Sequence, residues 1–199
     1  MRYNLVEIFE SLQGEGRNTG RPCVFVRFAG CNLDCPWCDT AVGKRFELSL
    51  EELVAEVKSC RAKSVILTGG EPTIVEGMDE LVAALKQAGF WLGVETNGLV
   101  AAAWLDSVDY VACSPKYEFA RLYETSDRLV RADEVRIVAS SEAVVGFARK
   151  MQATIRAADY YISPCDHDGK IDFEVAKAVL NALDGFSLSV QLHKILGFR

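Results

Sequence analysis

Short runs of apolar residues alternate with longer amphipathic stretches along the chain. Several runs consist almost entirely of Val, Ile and Leu, as in strands that are buried on both faces. Ser49 and Glu52 form a capping-box pattern, which predicts a helix that starts after Ser49. The predicted strands are residues 5–9, 24–28, 64–67, 92–95, 110–113, 134–137, 160–162 and 187–191, and further helices are predicted at 78–88, 141–157 and 173–182.

Strands that alternate with helices predict βαβ units and a mostly parallel sheet. The chain has 199 residues, whereas a complete eight-fold barrel typically takes about 250. We therefore expect an α/β fold, an abbreviated, open (β/α) partial TIM barrel, as a single domain over residues 1–199. Ligands of such sheets bind at the carboxyl ends of the strands.

Charge and composition narrow the possible partners. The formal net charge is −6 and half of the residues are hydrophobic. Lys and Arg do not cluster as they do in proteins that bind nucleic-acid backbones. The chain lacks an apolar run of 18 residues and begins without the apolar stretch of a secretory signal. We expect a cytoplasmic protein that binds a small molecule and neither nucleic acid nor membrane.

Three of the seven cysteines, Cys31, Cys35 and Cys38, have the spacing C-x3-C-x2-C. This spacing also fits one face of a helix, but Pro36 would break that helix and Gly30 favours a loop. In a reducing compartment, clustered cysteines more often bind metal or act in catalysis than form disulfides.

The remaining cysteines are expected to differ from these three. Cys23 and Cys113 lie in apolar runs and Cys60 in a helical pattern, so we expect ordinary buried side chains. Two metal sites stay open for the clustered cysteines. Zinc normally takes four ligands, which Cys165 and His167 could complete. An iron–sulfur cluster held by only three thiolates would leave one iron open to an outside ligand.

The C-x3-C-x2-C loop after a strand, with Trp37 between its last two cysteines, resembles the radical S-adenosylmethionine (SAM) superfamily. "LTGGEP" at 67–72 matches the superfamily's Gly-Gly-Glu-Pro motif, and "VETNG", "CSPK" and "ISPCD" end later strands. The resemblance implies that the three cysteines hold a [4Fe–4S] cluster whose fourth iron is chelated by SAM. The SAM contacts that it implies are Trp37, Cys38, Asp39, Gly70, Glu71, Ser114, Pro115, Lys116, Ser163, Pro164, Cys165 and Asp166.

Both ends of the chain resemble one family within that superfamily, the 7-carboxy-7-deazaguanine synthases. "FESLQGEG" at 9–16, "VRFAGCNLDCPWCDT" at 26–40 and "QLHKILGFR" at 191–199 carry the resemblance. It implies a Mg2+ ligand, Thr40, and a substrate carboxylate bound by Arg27. The substrate contacts that it implies are Leu12, Gln13, Gly14, Glu15, Arg27, Thr68, His193 and, through its terminal carboxylate, Arg199.

The reaction that the resemblance implies is ring contraction of 6-carboxy-5,6,7,8-tetrahydropterin to 7-carboxy-7-deazaguanine with loss of ammonia, on the route to deazapurines such as queuosine. It also implies a homodimer that receives electrons from a flavodoxin-type donor. Two alternatives stay open at this point. The chain could be a radical SAM enzyme that makes a glycyl radical on a protein partner, or a zinc-binding interaction module.

The cysteine loop gives a direct prediction. Replacing Cys31, Cys35 or Cys38 by alanine is expected to remove the brown chromophore of the protein and its activity, because each thiolate would hold a different iron. Visible absorption and turnover of anaerobically purified variants check this expectation. Retained activity in any one of the three variants would contradict it.

Overall fold

The computed structural model describes residues 1–36, 38, 45–125, 127–167 and 169–198, without the side chain of His167. The strands are β1 (Arg2–Leu12), β2 (Pro22–Phe28), β3 (Phe46–Ser49), β4 (Ser64–Gly69), β5 (Trp91–Thr96), β6 (Tyr110–Cys113), β7 (Glu134–Ala139), β8 (Asp159–His167), β9 (Lys170–Asp172) and β10 (Ser187–Leu188). The α-helices are α1 (Leu50–Ser59), α2 (Met78–Gln87), α3 (Val144–Thr154), α4 (Phe173–Asn181) and α5 (Leu192–Leu196), and 3-10 turns cover Gly16–Asn18, Pro72–Ile74, Ala103–Ser107 and Tyr117–Glu124.

The strands form one sheet in the order β10-β8-β7-β6-β5-β4-β2-β1-β3, with β9 paired to β8. Every neighbouring pair from β2 to β10 in this order is parallel, whereas β1 pairs antiparallel with β2 and β3. Among the described strands the two ends of the order, β10 and β3, do not pair. The predicted open, mostly parallel α/β sheet is therefore confirmed.

Each predicted strand is present, and the predicted helices start or end within three residues of the observed ones. The last predicted strand is shorter than expected, because β10 ends at Leu188 and the chain then turns toward α5. The sequence pattern missed β3, β9 and α5. β3 and β9 are short strands that pair antiparallel with β1 and β8 respectively, and α5 has five residues. Such short elements depend on tertiary contacts more than on periodicity.

The core lies between the sheet and the helices that cover it. Leu67, Val94 and Ile137 on the parallel strands are buried, and α2 packs Leu81 and Leu85 against the same core. The capping box of α1 is confirmed, because the Ser49 hydroxyl accepts from the Glu52 N–H and the Glu52 carboxylate accepts from the Ser49 N–H. In the part of the chain that the structure describes, every helix is too short or too polar to span a bilayer.

The isolated cysteines pack largely as expected. Cys23 and Cys113 are buried, and burial raises the pKa of the Cys23 thiol to about 11 and of the Cys113 thiol to about 12. Both therefore stay neutral and act as small apolar side chains. Cys60 is only half-buried, at the end of α1, so the expectation of full burial is wrong there.

A buried carboxylate ties the carboxyl ends of β4 and β5 together. Glu71 is 1% exposed. Its Oε1 accepts from the Thr73 N–H at 3.1 Å and from the hydroxyls of Thr73 and Thr96 at 2.7 Å each, and its Oε2 accepts from the Asn97 N–H at 2.7 Å. Buried carboxylates are costly unless donors satisfy them. These four donors are what allow Glu71 to sit under the sheet edge.

Glu71→Gln is expected to lower the free energy of unfolding by about 1–3 kcal/mol, because the new amide nitrogen must face at least one of those donors. The urea midpoint at constant denaturant slope measures this change. Glu76→Gln is the matched control, since the same chemical change falls on an exposed side chain. Equal midpoints for the two variants would contradict the structural role of Glu71.

Candidate active site

A cavity of about 300 Å³ opens at the carboxyl ends of the parallel strands. Most of the residues predicted to bind cluster, SAM or substrate line it, although they come from segments far apart in sequence. They are Leu12, Gln13, Gly14, Glu15, Arg27, Cys31, Cys35, Cys38, Thr68, Gly70, Glu71, Ser114, Lys116, Ser163, Pro164, Asp166 and His193. The structure thus gathers them around one space.

Six predicted residues are not among those lining residues. Pro115 and Cys165 are buried outside the cavity wall, and burial raises the pKa of the Cys165 thiol. Each stands between two residues that do line the cavity, Ser114 and Lys116 for Pro115, and Pro164 and Asp166 for Cys165. Trp37, Asp39, Thr40 and Arg199 lie outside the described residues.

The three clustered cysteines form one loop at the mouth of the cavity. The Cys31 Sγ accepts from the Leu33 N–H at 3.4 Å, and the Cys38 N–H donates to the Cys35 carbonyl at 3.1 Å. Burial raises the pKa of the Cys31 and Cys35 thiols, and the neighbouring cysteines raise it further. Both are therefore protonated thiols at neutral pH before metal binding, and binding a metal would release their protons.

Backbone contacts fix where this loop begins. The Glu71 N–H donates to the Gly30 carbonyl at 2.9 Å, and a Cβ at Gly70 would lie 1.5 Å from that same oxygen. Only glycine allows such an approach. The Asn97 amide then donates to the Asn32 side chain at 2.7 Å. The loop is therefore anchored to the ends of β4 and β5 on both sides of Cys31.

Cys31, Cys35 and Cys38 all line one cavity, so a single group could bind all three thiolates. Within the described ranges, no group of three His, Cys, Asp or Glu side chains is arranged to hold one ion. A structural zinc would need four ligands converging on one point. An iron–sulfur cluster instead spreads its thiolates over separate irons. Three thiols that line one cavity can hold such a cluster and leave one iron for an outside ligand.

Polar groups that line the same cavity as the cysteines suit a polar ligand such as SAM. The Ser163 hydroxyl is buried and lines the cavity, but it has no hydrogen-bond partner among the described residues. The Lys116 ammonium donates to the Ser114 hydroxyl at 2.7 Å and lies close enough to Cys35 to lower its pKa against the effect of burial. Buried hydroxyls normally have a hydrogen-bond partner, and a ligand in the cavity would supply one for Ser163.

A wall of carboxylates forms the far side of the cavity. Arg136 in β7 donates to Glu15 at 3.0 Å and pairs closely with Glu95 at the end of β5. The side-chain amide of Gln13 makes two hydrogen bonds in this wall. Its Nε2 donates to Glu95 at 2.8 Å, and its Oε1 accepts from the Gly14 N–H at 2.8 Å. Gln13 therefore holds the loop and the carboxylate in place.

The segment after β10 completes this wall. Its backbone is joined to the N-terminal loop by the Leu192 N–H, which donates to the Gly14 carbonyl at 2.9 Å. The His193 ring packs so closely on Gly14 that a Cβ there would lie 1.9 Å from its Nδ1. The Lys194 ammonium pairs with Asp166 at 2.8 Å. Both chain ends thus contribute to one surface.

A cation faces the cavity from the neighbouring strand. Arg27 in β2 lines the cavity and its Nε donates to Glu7 in β1 at 2.8 Å. Thr68 is its register partner on β4, so both residues lie at the same level of the sheet. The ion pair with Glu7 fixes the plane of the guanidinium. A guanidinium held in this way is suited to bind a carboxylate through two parallel hydrogen bonds.

Several lining residues escaped the sequence interpretation. Glu95 lies in the "VETNG" motif but was not assigned a contact, and Arg136 was not singled out at all. A signal for Arg136 exists in the sequence: "EVRIVA" at 134–139 places two charges inside an otherwise apolar strand. Charged residues are almost never fully buried unless they are paired, so such charges indicate partners at the site.

Comparisons with known proteins give the same picture. Residues 25–117 match the model of the Radical SAM superfamily. The chain is 45% identical over 201 aligned residues to the 7-carboxy-7-deazaguanine synthase of Haemophilus influenzae, covering 98% of this chain and 93% of that relative. It is 46% identical to the synthase of Neisseria meningitidis, covering 98% and 94%.

A solved structure agrees in fold as well as in sequence. The crystal structure of QueE from Escherichia coli superposes with a TM-score of 0.81 at 26% identity, covering 97% of this chain and 95% of that one. The alternatives of a zinc module and of an activating enzyme find no support in these matches. The chain belongs to the 7-carboxy-7-deazaguanine synthase family of the radical SAM superfamily.

Proposed function

We propose that this chain converts 6-carboxy-5,6,7,8-tetrahydropterin into 7-carboxy-7-deazaguanine and ammonia, in deazapurine (queuosine) biosynthesis. The observation that carries the proposal is a single cavity that joins the three-cysteine loop to a wall of carboxylates and to Arg27. Substrate and product differ by one ammonia, so the net reaction consumes no oxidant. A radical enzyme that regenerates its own initiator suits such a rearrangement.

Cys31, Cys35 and Cys38 would hold a [4Fe–4S] cluster, and SAM would take the remaining iron position. When bound together, these groups supply a carbon-centred radical able to take a hydrogen atom from an unactivated carbon. The protein supplies binding and orientation. The side chains best suited to contact SAM are the Lys116 ammonium and Ser163, whose hydroxyl has no hydrogen-bond partner in the described part of the chain.

The two sides of the cavity match the two ends of the proposed substrate. The pterin carries adjacent N–H donors on its 2-amino-4-oxo ring, which suit the carboxylates of Glu15 and Glu95. Its carboxylate suits the oriented guanidinium of Arg27. Thr68 and His193 lie on the cavity wall and would contact the ring or its carboxylate.

Further parts of the proposal rest on the family alone. Mg2+ would bind Thr40 and the substrate carboxylate, since magnesium prefers oxygen ligands. Arg199 would contact substrate through its terminal carboxylate, and Trp37 and Asp39 would contact SAM. The enzyme would be a cytoplasmic homodimer reduced by a flavodoxin-type donor. Free thiols at all seven cysteines are in keeping with a reducing compartment.

The direct test is anaerobic incubation of the reconstituted enzyme with carboxytetrahydropterin, SAM, Mg2+ and a chemical reductant. Mass spectrometry is expected to find 7-carboxy-7-deazaguanine, with one ammonia formed for each product molecule. Omitting Mg2+ tests the metal requirement separately. Cleavage of SAM by a fully loaded enzyme without any deazaguanine product would refute the proposed reaction while leaving the radical SAM class intact.

Arg27→Lys is expected to raise the KM for the pterin by about 10-fold or more, because lysine keeps the charge but cannot pair with Glu7 and fork onto a carboxylate. Iron content and the visible spectrum should stay unchanged. Steady-state kinetics and iron analysis provide the measurement.

Arg17→Lys is the matched control for that variant. Arg17 also pairs with a carboxylate, Asp159, but it does not line the cavity. Kinetics of Arg17→Lys should equal those of the unmodified enzyme. If Arg27→Lys shows the same unchanged KM, Arg27 serves the sheet and not the substrate.

A further inference from the structure

Arg136 is the centre of a buried ion cluster that draws on three separate elements. Its side chain is 5% exposed. Nη1 donates to Glu15 in the N-terminal loop, Nη2 pairs with Glu95 at the end of β5, and Nε lies 3.0 Å from Glu134 in its own strand. That last contact lacks the alignment of a hydrogen bond. One guanidinium therefore braces two carboxylates of the cavity wall that come from different elements of the fold.

The other carboxylate oxygens of this cluster are also engaged by named donors. Gln191 Nε2 donates to Glu15 Oε1 at 3.0 Å, and Gln13 Nε2 donates to Glu95 Oε1 at 2.8 Å. Each oxygen of Glu15 and Glu95 thus receives one bond from the protein. A carboxylate oxygen has two lone pairs. Both groups therefore keep acceptor capacity in fixed directions.

Glu134 differs from the other two carboxylates because it does not line the cavity. Its Oε2 accepts from the Arg17 N–H at 2.9 Å and from the Tyr110 hydroxyl at 2.7 Å. Burial raises its pKa. A Cβ at Gly16 would lie 2.1 Å from its Oε1. Glu134 therefore supports the N-terminal loop and Arg136 from below, and leaves the cavity to Glu15 and Glu95.

Stability alone is a poor explanation for this cluster. A buried ion pair seldom stabilises a fold more than apolar side chains of the same volume would, although it can fix one geometry. On the cavity side Arg136 faces two carboxylates, Glu15 and Glu95, so acceptors exceed donors there. A ligand edge with adjacent N–H donors would balance that excess, whereas an edge of acceptors would be repelled.

We propose that Arg136 is a positioning residue that holds Glu15 and Glu95 as a paired acceptor for the 2-amino and ring N–H donors of the pterin. It thereby sets the preference of the enzyme for a 2-amino-4-oxo ring over a 2,4-dioxo ring. The inference rests on the proposed function. It assigns Arg136 no contact with the reacting atoms.

The test compares the binding of two unreactive ligands to reconstituted enzyme with SAM present. 6-Carboxypterin carries the 2-amino group, and 6-carboxylumazine carries an oxygen in its place. The unmodified enzyme is expected to bind the pterin about 10- to 100-fold more tightly, the range for one or two hydrogen bonds lost with a buried acceptor left unpaired. In Arg136→Lys that preference should fall to about threefold or less.

Iron content and a matched control separate positioning from a general structural defect. Iron content should stay unchanged in Arg136→Lys, because the cysteine loop contacts other elements. Arg149→Lys is the matched control, since that exposed arginine donates to the Ala182 carbonyl and does not line the cavity. It should keep the full pterin preference.

If Arg136→Lys does not fold, a charge-balanced double variant takes its place in the test. Arg136→Gln combined with Glu134→Gln removes one cation and one carboxylate together and should show the same loss of preference. An undiminished preference in either folded variant overturns the inference. If the unmodified enzyme converts no carboxytetrahydropterin, the proposed function fails instead, and this outcome is distinguishable because it needs no variant.

Discussion

The carboxylate of Glu71 is the constraint on which the site depends. It is buried at the point where β4 ends, and it is satisfied by donors from its own turn and from the end of β5. From there hydrogen bonds continue in two directions. The Asn97 side chain reaches Asn32 beside the first clustered cysteine, and the Asn97 carbonyl accepts from Tyr123, whose hydroxyl in turn accepts from the Lys116 N–H.

The resemblance implies that the Gly-Gly-Glu-Pro motif contacts SAM through Gly70 and Glu71. The hydrogen bonds of Glu71 give the motif a structural role as well. In the structure the same carboxylate holds neighbouring strand ends together, while Gly70 allows the backbone of the cysteine loop to approach. The bonds to Gly30 and Asn32 hold the start of the cysteine loop, on both sides of Cys31, without a ligand. Preorganisation of this kind lowers the cost of binding.

Sequence reasoning was most successful where one physical signal was strong. Buried parallel strands produce near-continuous apolar runs, so β4, β5 and β6 were located within two residues. The cysteine spacing and the family motifs identified most of the residues that line the cavity from the sequence alone. The ion cluster around Arg136 was harder to predict, because the role of Arg136 and Glu134 depends on contacts with Glu15 and Glu95. Partners 121 and 41 residues away cannot be inferred from a single apolar strand with charges in it.

The wall formed by both ends of the chain has a consequence for how the protein matures. The bond from the Gly16 N–H to Ser189 spans 173 residues and that from Gln191 to Glu15 spans 176, whereas the Asn97 to Asn32 bond spans 65. Contacts of greater separation carry a larger closure entropy and tend to form later in folding. We therefore expect the start of the cysteine loop, at Asn32, to be anchored before the two ends of the chain complete the opposite wall.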